Sequence, residues 1–115
     1  MGETNFMKEV QMEASQLGGR LFRNNVGLYL TLDGTRKVRT GLCTGSSDLI
    51  GFFPKIVTQD MVGEKIAIFA AIETKSKKRK ATEEQKRFIE MVKGFGGIAG
   101  EVKNFKDFWK LFGSY

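Results

Sequence analysis

Glu73 and Lys75 stand two residues apart at the end of the most apolar run in the chain, Ala67-Ile68-Phe69-Ala70-Ala71-Ile72. The run reads as a buried strand over residues 66–73, closed by Glu73-Thr74-Lys75. A strand sends alternate side chains to opposite faces, so the carboxylate and the ammonium point the same way. Two charges on one face of a core strand carry a desolvation cost unless they are partnered or at work. Asp48, 25 residues upstream of Glu73, lies in Gly45-Ser46-Ser47-Asp48-Leu49-Ile50-Gly51, at the mouth of a second apolar run. An Asp followed by Glu-x-Lys, each in strand context, outlines a metal-dependent nuclease site. Two carboxylates brought together share a divalent ion that acidifies water. A neighbouring lysine orients that water and stabilises charge developing on a phosphate.

Each residue also has an ordinary reading. Asp48 fits a turn in which its carboxylate bonds its own backbone. Glu73 and Lys75 fit strand-end charges leaving the core for solvent. Gln85 is most simply the capping-box partner of Thr82, three residues before it, and could instead reach the site from the helix start. The run Lys75, Lys77, Lys78, Arg79, Lys80 is a solvated loop or, beside a metal site, a grip on phosphates. Arg20, Arg23, Arg36 and Arg39 carry the same two readings.

Composition narrows the chemistry. The 115 residues contain no His, which removes Ser-His and Cys-His nucleophile pairs and any His-ligated metal. The lone Cys43 forms no internal disulfide or multi-Cys zinc site and reads as a small packing residue. Carboxylates, lysine and an oxygen-bound cation remain, a ligand set that suits Mg²⁺ or Mn²⁺. Nineteen Lys and Arg against 13 Asp and Glu give a formal charge of +6, which favours a polyanionic partner. A hydrophobic fraction of 41% fits one globular domain over residues 1–115. No apolar run approaches the roughly 18–20 residues of a membrane span. Glu3, Lys8 and Glu9 interrupt any signal-peptide core, so a cytoplasmic setting is expected.

The elements that must position these groups follow from periodicity and breakers. Residues 4–17 read as a helix with Phe6, Met7, Val10, Ala14 and Leu17 at three- and four-residue steps, ended by Gly18-Gly19. Residues 20–24 form a short strand. Residues 28–31 and 37–39 flank the hairpin signal Asp33-Gly34. Residues 49–53 form another strand, stopped by Pro54, and 55–65 a polar connection. Thr82 opens a helix with Phe88, Ile89, Met91 and Val92 as its buried side and Gly94 as its stop. Residues 97–102 form a strand, and Asn104 caps a final helix carrying Phe105, Phe108, Trp109 and Phe112. These aromatics read as core or dimer contacts. The order α-β-β-β-β-β-α-β-α predicts an α/β fold with a mixed sheet.

Arg23-Asn24-Asn25-Val26-Gly27, Gly45-Ser46-Ser47-Asp48-Leu49-Ile50-Gly51, Ile72-Glu73-Thr74-Lys75, Gln85-Lys86-Arg87-Phe88 and Gly96-Gly97 occur in the order seen in VRR-Nuc domains of the PD-(D/E)XK nuclease superfamily. The chain resembles stand-alone phage or bacterial members over nearly its whole length. The resemblance implies a restriction-endonuclease-like core, a central mixed β-sheet flanked by helices. It implies Asp48 and Glu73 as metal ligands, Lys75 as the catalytic lysine and Gln85 as the glutamine on the following helix. It also implies a first-helix glutamate: Glu3 matches by distance to Arg23, and Glu9 and Glu13 lie on the same helix.

Stand-alone members resemble Holliday-junction resolvases, which act as homodimers, while the same domain in the Fanconi-associated nuclease cuts flaps. The expected activity is therefore Mg²⁺-dependent, structure-selective cleavage of branched DNA, leaving 5′-phosphate and 3′-hydroxyl ends. Arg20, Arg23, Lys77, Lys78, Arg79 and Lys80 would contact the backbone. Two symmetric cuts need two sites and so a homodimer. Three rivals share the residues: a flap or RNA nuclease, a non-catalytic nucleic-acid-binding module, and an interaction protein using its last aromatic helix.

Overall fold

The computed structural model describes residues 2–113 except position 77, and leaves the side chains of residues 3 and 4 undescribed. The chain divides into two compact units, residues 1–53 and 54–115. Its described strands pair as three two-stranded ladders. The α/β class expected from the element order is thus observed. A single hydrogen-bonded central sheet is not formed among the described strands.

The first unit opens with α1 (Glu3–Gln16). Its inner stripe is Met7, Val10, Gln11 and Ala14, of which Ala14 is buried. Phe6 and Leu17, expected on that stripe, lie exposed on its flank. Gly18 ends the helix at φ 91°, and Gly19 N–H closes the cap on Ala14 O at 2.9 Å. Gln11 Nε2 donates to Leu21 O (3.0 Å), tying α1 to β1 (Arg20–Arg23).

β1 runs antiparallel to β4 (Leu49–Phe52), with Arg23 opposite Leu49 and Phe22 opposite Ile50. Gly51 is required here: a Cβ would fall 1.8 Å from Arg20 O. Between them lies the hairpin β2 (Gly27–Leu30) and β3 (Lys37–Thr40), turned by Asp33-Gly34 with Gly34 at φ 72°. The Asp33 carboxylate accepts from Thr31 Oγ1 (2.5 Å), Thr35 N–H (3.0 Å) and Thr35 Oγ1 (2.8 Å). These bonds, the Thr31 hydroxyl foremost, lower its pKa to about 2.

The second unit is a β-α-β unit with a C-terminal helix, preceded by a 3-10 turn at Gln59–Met61. β5 (Ala70–Thr74) pairs in parallel with β6 (Ile98–Val102), and α2 (Glu83–Gly94) makes the crossover. α2 packs on both strands and α3 (Phe105–Leu111) packs on β6. The core is small: Ala81, Val92, Ala99 and Val102.

The buried strand expected over 66–73 is corrected to 70–74. Its ladder partner has only five residues, so pairing starts at Ala70, and Ile66 and Ile68 stay exposed. β5 itself is only half-buried, because among the described residues it has one strand partner. On α2, Gln85, Ile89 and Val92 face inward while Phe88 remains 38% exposed. On α3, Phe108 and Phe112 are half-buried, whereas Phe105 and Trp109 are exposed.

Candidate active site

Within the second unit, the end of β5 and the start of α2 bring together Glu73, Lys75 and Gln85. Lys75 Nζ lies 3.3 Å from Glu73 Oε1, and the two side chains are 14% and 33% exposed. Gln85 Nε2 donates to the same Oε1 at 2.9 Å. The shared face expected from strand alternation is therefore observed, with an ion pair on it.

The two readings of Gln85 hold together. Thr82 N–H donates to Gln85 Oε1 (2.9 Å) while Gln85 N–H donates to Thr82 Oγ1 (3.2 Å), a complete capping box. Because Oε1 is committed to an N–H donor, the amide NH₂ is turned toward the carboxylate. The helix cap thus orients the group that holds Glu73. Glu73 receives both donors on one oxygen, which leaves Oε2 without a partner among the described residues.

Asp48 sits in the first unit, just ahead of β4, and is exposed. Among the described residues no hydrogen bond or ion pair engages its carboxylate, so the turn-Asp reading does not apply to its side chain. Its backbone is held firmly. Asn24 N–H donates to Asp48 O (2.8 Å), continuing the β1–β4 ladder by one step. The Asn24 side chain spans the loop before Asp48: Nδ2 donates to Ser46 Oγ (2.7 Å) and Ser47 O (2.9 Å), and Oδ1 accepts from Leu42 N–H (2.9 Å). In the sequence Asn24 is marked only by its place in Arg23-Asn24-Asn25-Val26-Gly27. Its signal was a loop-forming residue type at a strand end. Arg23 and Asp48 line one cavity of about 330 Å³ together with Tyr29 and Asn25.

Glu3 begins α1, but its side chain is outside the described part, as is Lys77. Lys78, Arg79 and Lys80 are exposed on a loop turned by Arg79 N–H on Ser76 O (3.1 Å). Arg20 Nη1 donates to Gly19 O (2.6 Å), and Arg39 Nη1 to Thr44 Oγ1 (3.0 Å).

One carboxylate was not anticipated. Glu101 on β6 stands opposite Glu73 in the parallel register. Its Oε1 is buried and has no hydrogen-bond partner among the described residues. Among the described residues no three acidic or thiol groups form a ready cation cage. The donors present are nonetheless all oxygen, and Mg²⁺ is usually held by one or two carboxylates with waters and substrate phosphates completing its shell. The orphaned Glu101 oxygen beside Glu73 fits such an ion.

A family model for the VRR-NUC domain matches residues 24–104. The chain belongs to the VRR-NUC family. The matched span contains Asp48, Glu73, Lys75, Gln85 and the basic residues at 77–80, while Glu3, Arg20 and Arg23 lie before it. No curated protein and no solved structure matches the chain significantly. The VRR-NUC domain is a nuclease domain, so the substrate class is nucleic acid. No helix among the described residues is long and apolar enough to cross a membrane.

Proposed function

We propose that this VRR-NUC protein is a Mg²⁺- or Mn²⁺-dependent, structure-selective DNA endonuclease that cuts branched DNA, four-way junctions foremost, as a homodimer. The observation that carries the reading is the Glu73–Lys75–Gln85 cluster, an acid with its ammonium and amide partners inside the family-matched span. The reading includes residues 1–115 as one restriction-endonuclease-like domain, acting in the cytoplasm.

Asp48 and Glu73 are the proposed cation ligands, with a first-helix glutamate, Glu3, assisting. When bound, the cation supplies charge neutralisation at the phosphate and acidifies the attacking water. Glu73 offers Oε2 for this role while Lys75 and Gln85 fix Oε1. Lys75, only 14% exposed, is held to a single strand face and places its ammonium where it orients water and stabilises the pentavalent charge. Gln85 keeps the Glu73 carboxylate from rotating, an orientation worth more than its own hydrogen bond. Lys77, Lys78, Arg79 and Lys80, with Arg20 and Arg23, contact the DNA backbone. Recognition is of shape and phosphate, since no helix here reads as a major-groove reader.

The test is a panel of labelled four-way junction, flap, plain duplex and RNA, each incubated with the protein in Mg²⁺. Preferential cutting of the junction supports the proposal. Preferential cutting of the flap or of RNA overturns the substrate while leaving a nuclease, and binding without cutting any of the four leaves a nucleic-acid-binding module.

A further inference from the structure

We infer that Glu101 is a further ligand of the divalent cation, sharing it with Glu73; the inference rests on the metal-dependent reading above. β5 and β6 run in parallel with Glu73 opposite Glu101. Register partners on neighbouring strands send their side chains to the same face. The two carboxylates therefore stand abreast on the face that also bears Lys75.

Like charges side by side are unfavourable, and burial sharpens the penalty. The Glu101 Oε1 atom is shut off from solvent and finds no donor. Such an atom needs a cation, a proton or a water to offset its lost hydration. Lys75 and Gln85 are both committed to Glu73 Oε1, and Lys93, Lys103 and Lys110, which line the cavity beside Glu101, make no hydrogen bond to its Oε1. Lys86 is engaged with Glu83 at 3.5 Å. A divalent ion between the carboxylates converts their repulsion into attraction and partners the orphaned oxygen at once. Beside Glu101 a cavity of about 560 Å³, lined by Ala81 and Ile89 and by Lys86, Lys93, Lys103 and Lys110, gives room for the waters that complete the shell. Glu101 lies inside a strand that otherwise reads Ile98-Ala99-Gly100-Val102, where an acid has no packing role.

Mn²⁺ binding to the full chain, read from loss of the free-ion electron paramagnetic resonance signal, tests this without a cleavage assay. Wild type should bind, and Glu101→Gln should bind about tenfold or more weakly, with the circular dichroism of the metal-free chain unchanged. Glu73→Gln should weaken binding comparably. Glu101→Asp keeps the charge but shortens its reach; it should also lower the affinity and decides the matter if Glu101→Gln fails to fold. Wild-type affinity in Glu101→Gln or, should that variant not fold, in Glu101→Asp, beside weakened binding in Glu73→Gln, overturns Glu101 as a ligand and leaves the metal-dependent nuclease standing. Failure of wild type to bind Mn²⁺ overturns both.

Discussion

Lys75 and Glu73 hold each other in a half-buried pair, and removing either partner has two separable consequences. Lys75→Ala leaves Glu73 with only Gln85 as donor, which costs stability of about 1–3 kcal/mol for the uncompensated acid. The same change should lower cleavage by about 100-fold or more while DNA binding persists, because Lys78, Arg79 and Lys80 remain. Single-turnover cleavage beside a binding isotherm checks this, and retained cutting would remove Lys75 from the mechanism. Asn24 acts on Asp48 through the loop it spans. Asn24→Ala removes three hydrogen bonds that hold Leu42 and the Ser46-Ser47 segment, so denaturant unfolding should show a loss of about 1–3 kcal/mol. Asn24→Asp is the sharper variant: it keeps the acceptor for Leu42 but sets a carboxylate against Ser47 O, and should not restore stability. The placement of Glu73, Lys75 and Gln85 was legible because type and spacing suffice for a strand face and a helix cap. Glu101 was not, because its meaning depends on the register of two parallel strands joined through a helix. No local pattern encodes that register.

The helix cap of α2 is a structural device with a proposed second role, since Gln85 also bonds Glu73. Thr82→Ala removes the side-chain half of the capping box and should cost about 1 kcal/mol, with cleavage retained, since Gln85 still bonds Thr82 N–H and Glu73. Gln85→Ala should cost a similar stability and reduce cleavage as well. Equal activity in the two variants would contradict the second role. In the β2–β3 hairpin, Asp33 titrates at about 2 instead of 3.8 because Thr31 and Thr35 hydrogen-bond its charged form. A depressed folded-state pKa means the contribution is complete above about 3.8 and is lost as pH falls through about 2. An NMR titration of the Asp33 carboxyl should find the low midpoint; a midpoint near 3.8 would contradict it. The Asp33-Gly34 turn and the Thr82 and Asn104 caps were readable because each is a local interaction of a few residues. The start of β5 was not: Ala67-Ile68-Phe69 is as apolar as the strand itself, and only the length of β6 decides where pairing begins.

Charge is unevenly spread over the whole molecule. Residues 54–115 carry 13 Lys and Arg against 8 Asp and Glu, a net +5, whereas residues 1–53 carry 6 against 5, a net +1. The second unit is accordingly expected to provide most of the phosphate contacts. Neutralising Lys78, Arg79 and Lys80 together should lower the salt slope of DNA binding by about 1 per charge removed; an unchanged slope would place the contacts elsewhere. Net charge and the exclusion of imidazole chemistry were available from composition alone, whereas the pairing of strands into three ladders depends on long-range contacts that composition does not carry. The central claim is that this domain hydrolyses branched DNA with a divalent cation held by carboxylates. The most direct measurement is cleavage of a labelled four-way junction by wild type and Glu73→Gln, each in Mg²⁺ and in EDTA. Wild type should cut in Mg²⁺ alone; cutting in EDTA, or undiminished cutting by Glu73→Gln, would rule out a cation held by carboxylates.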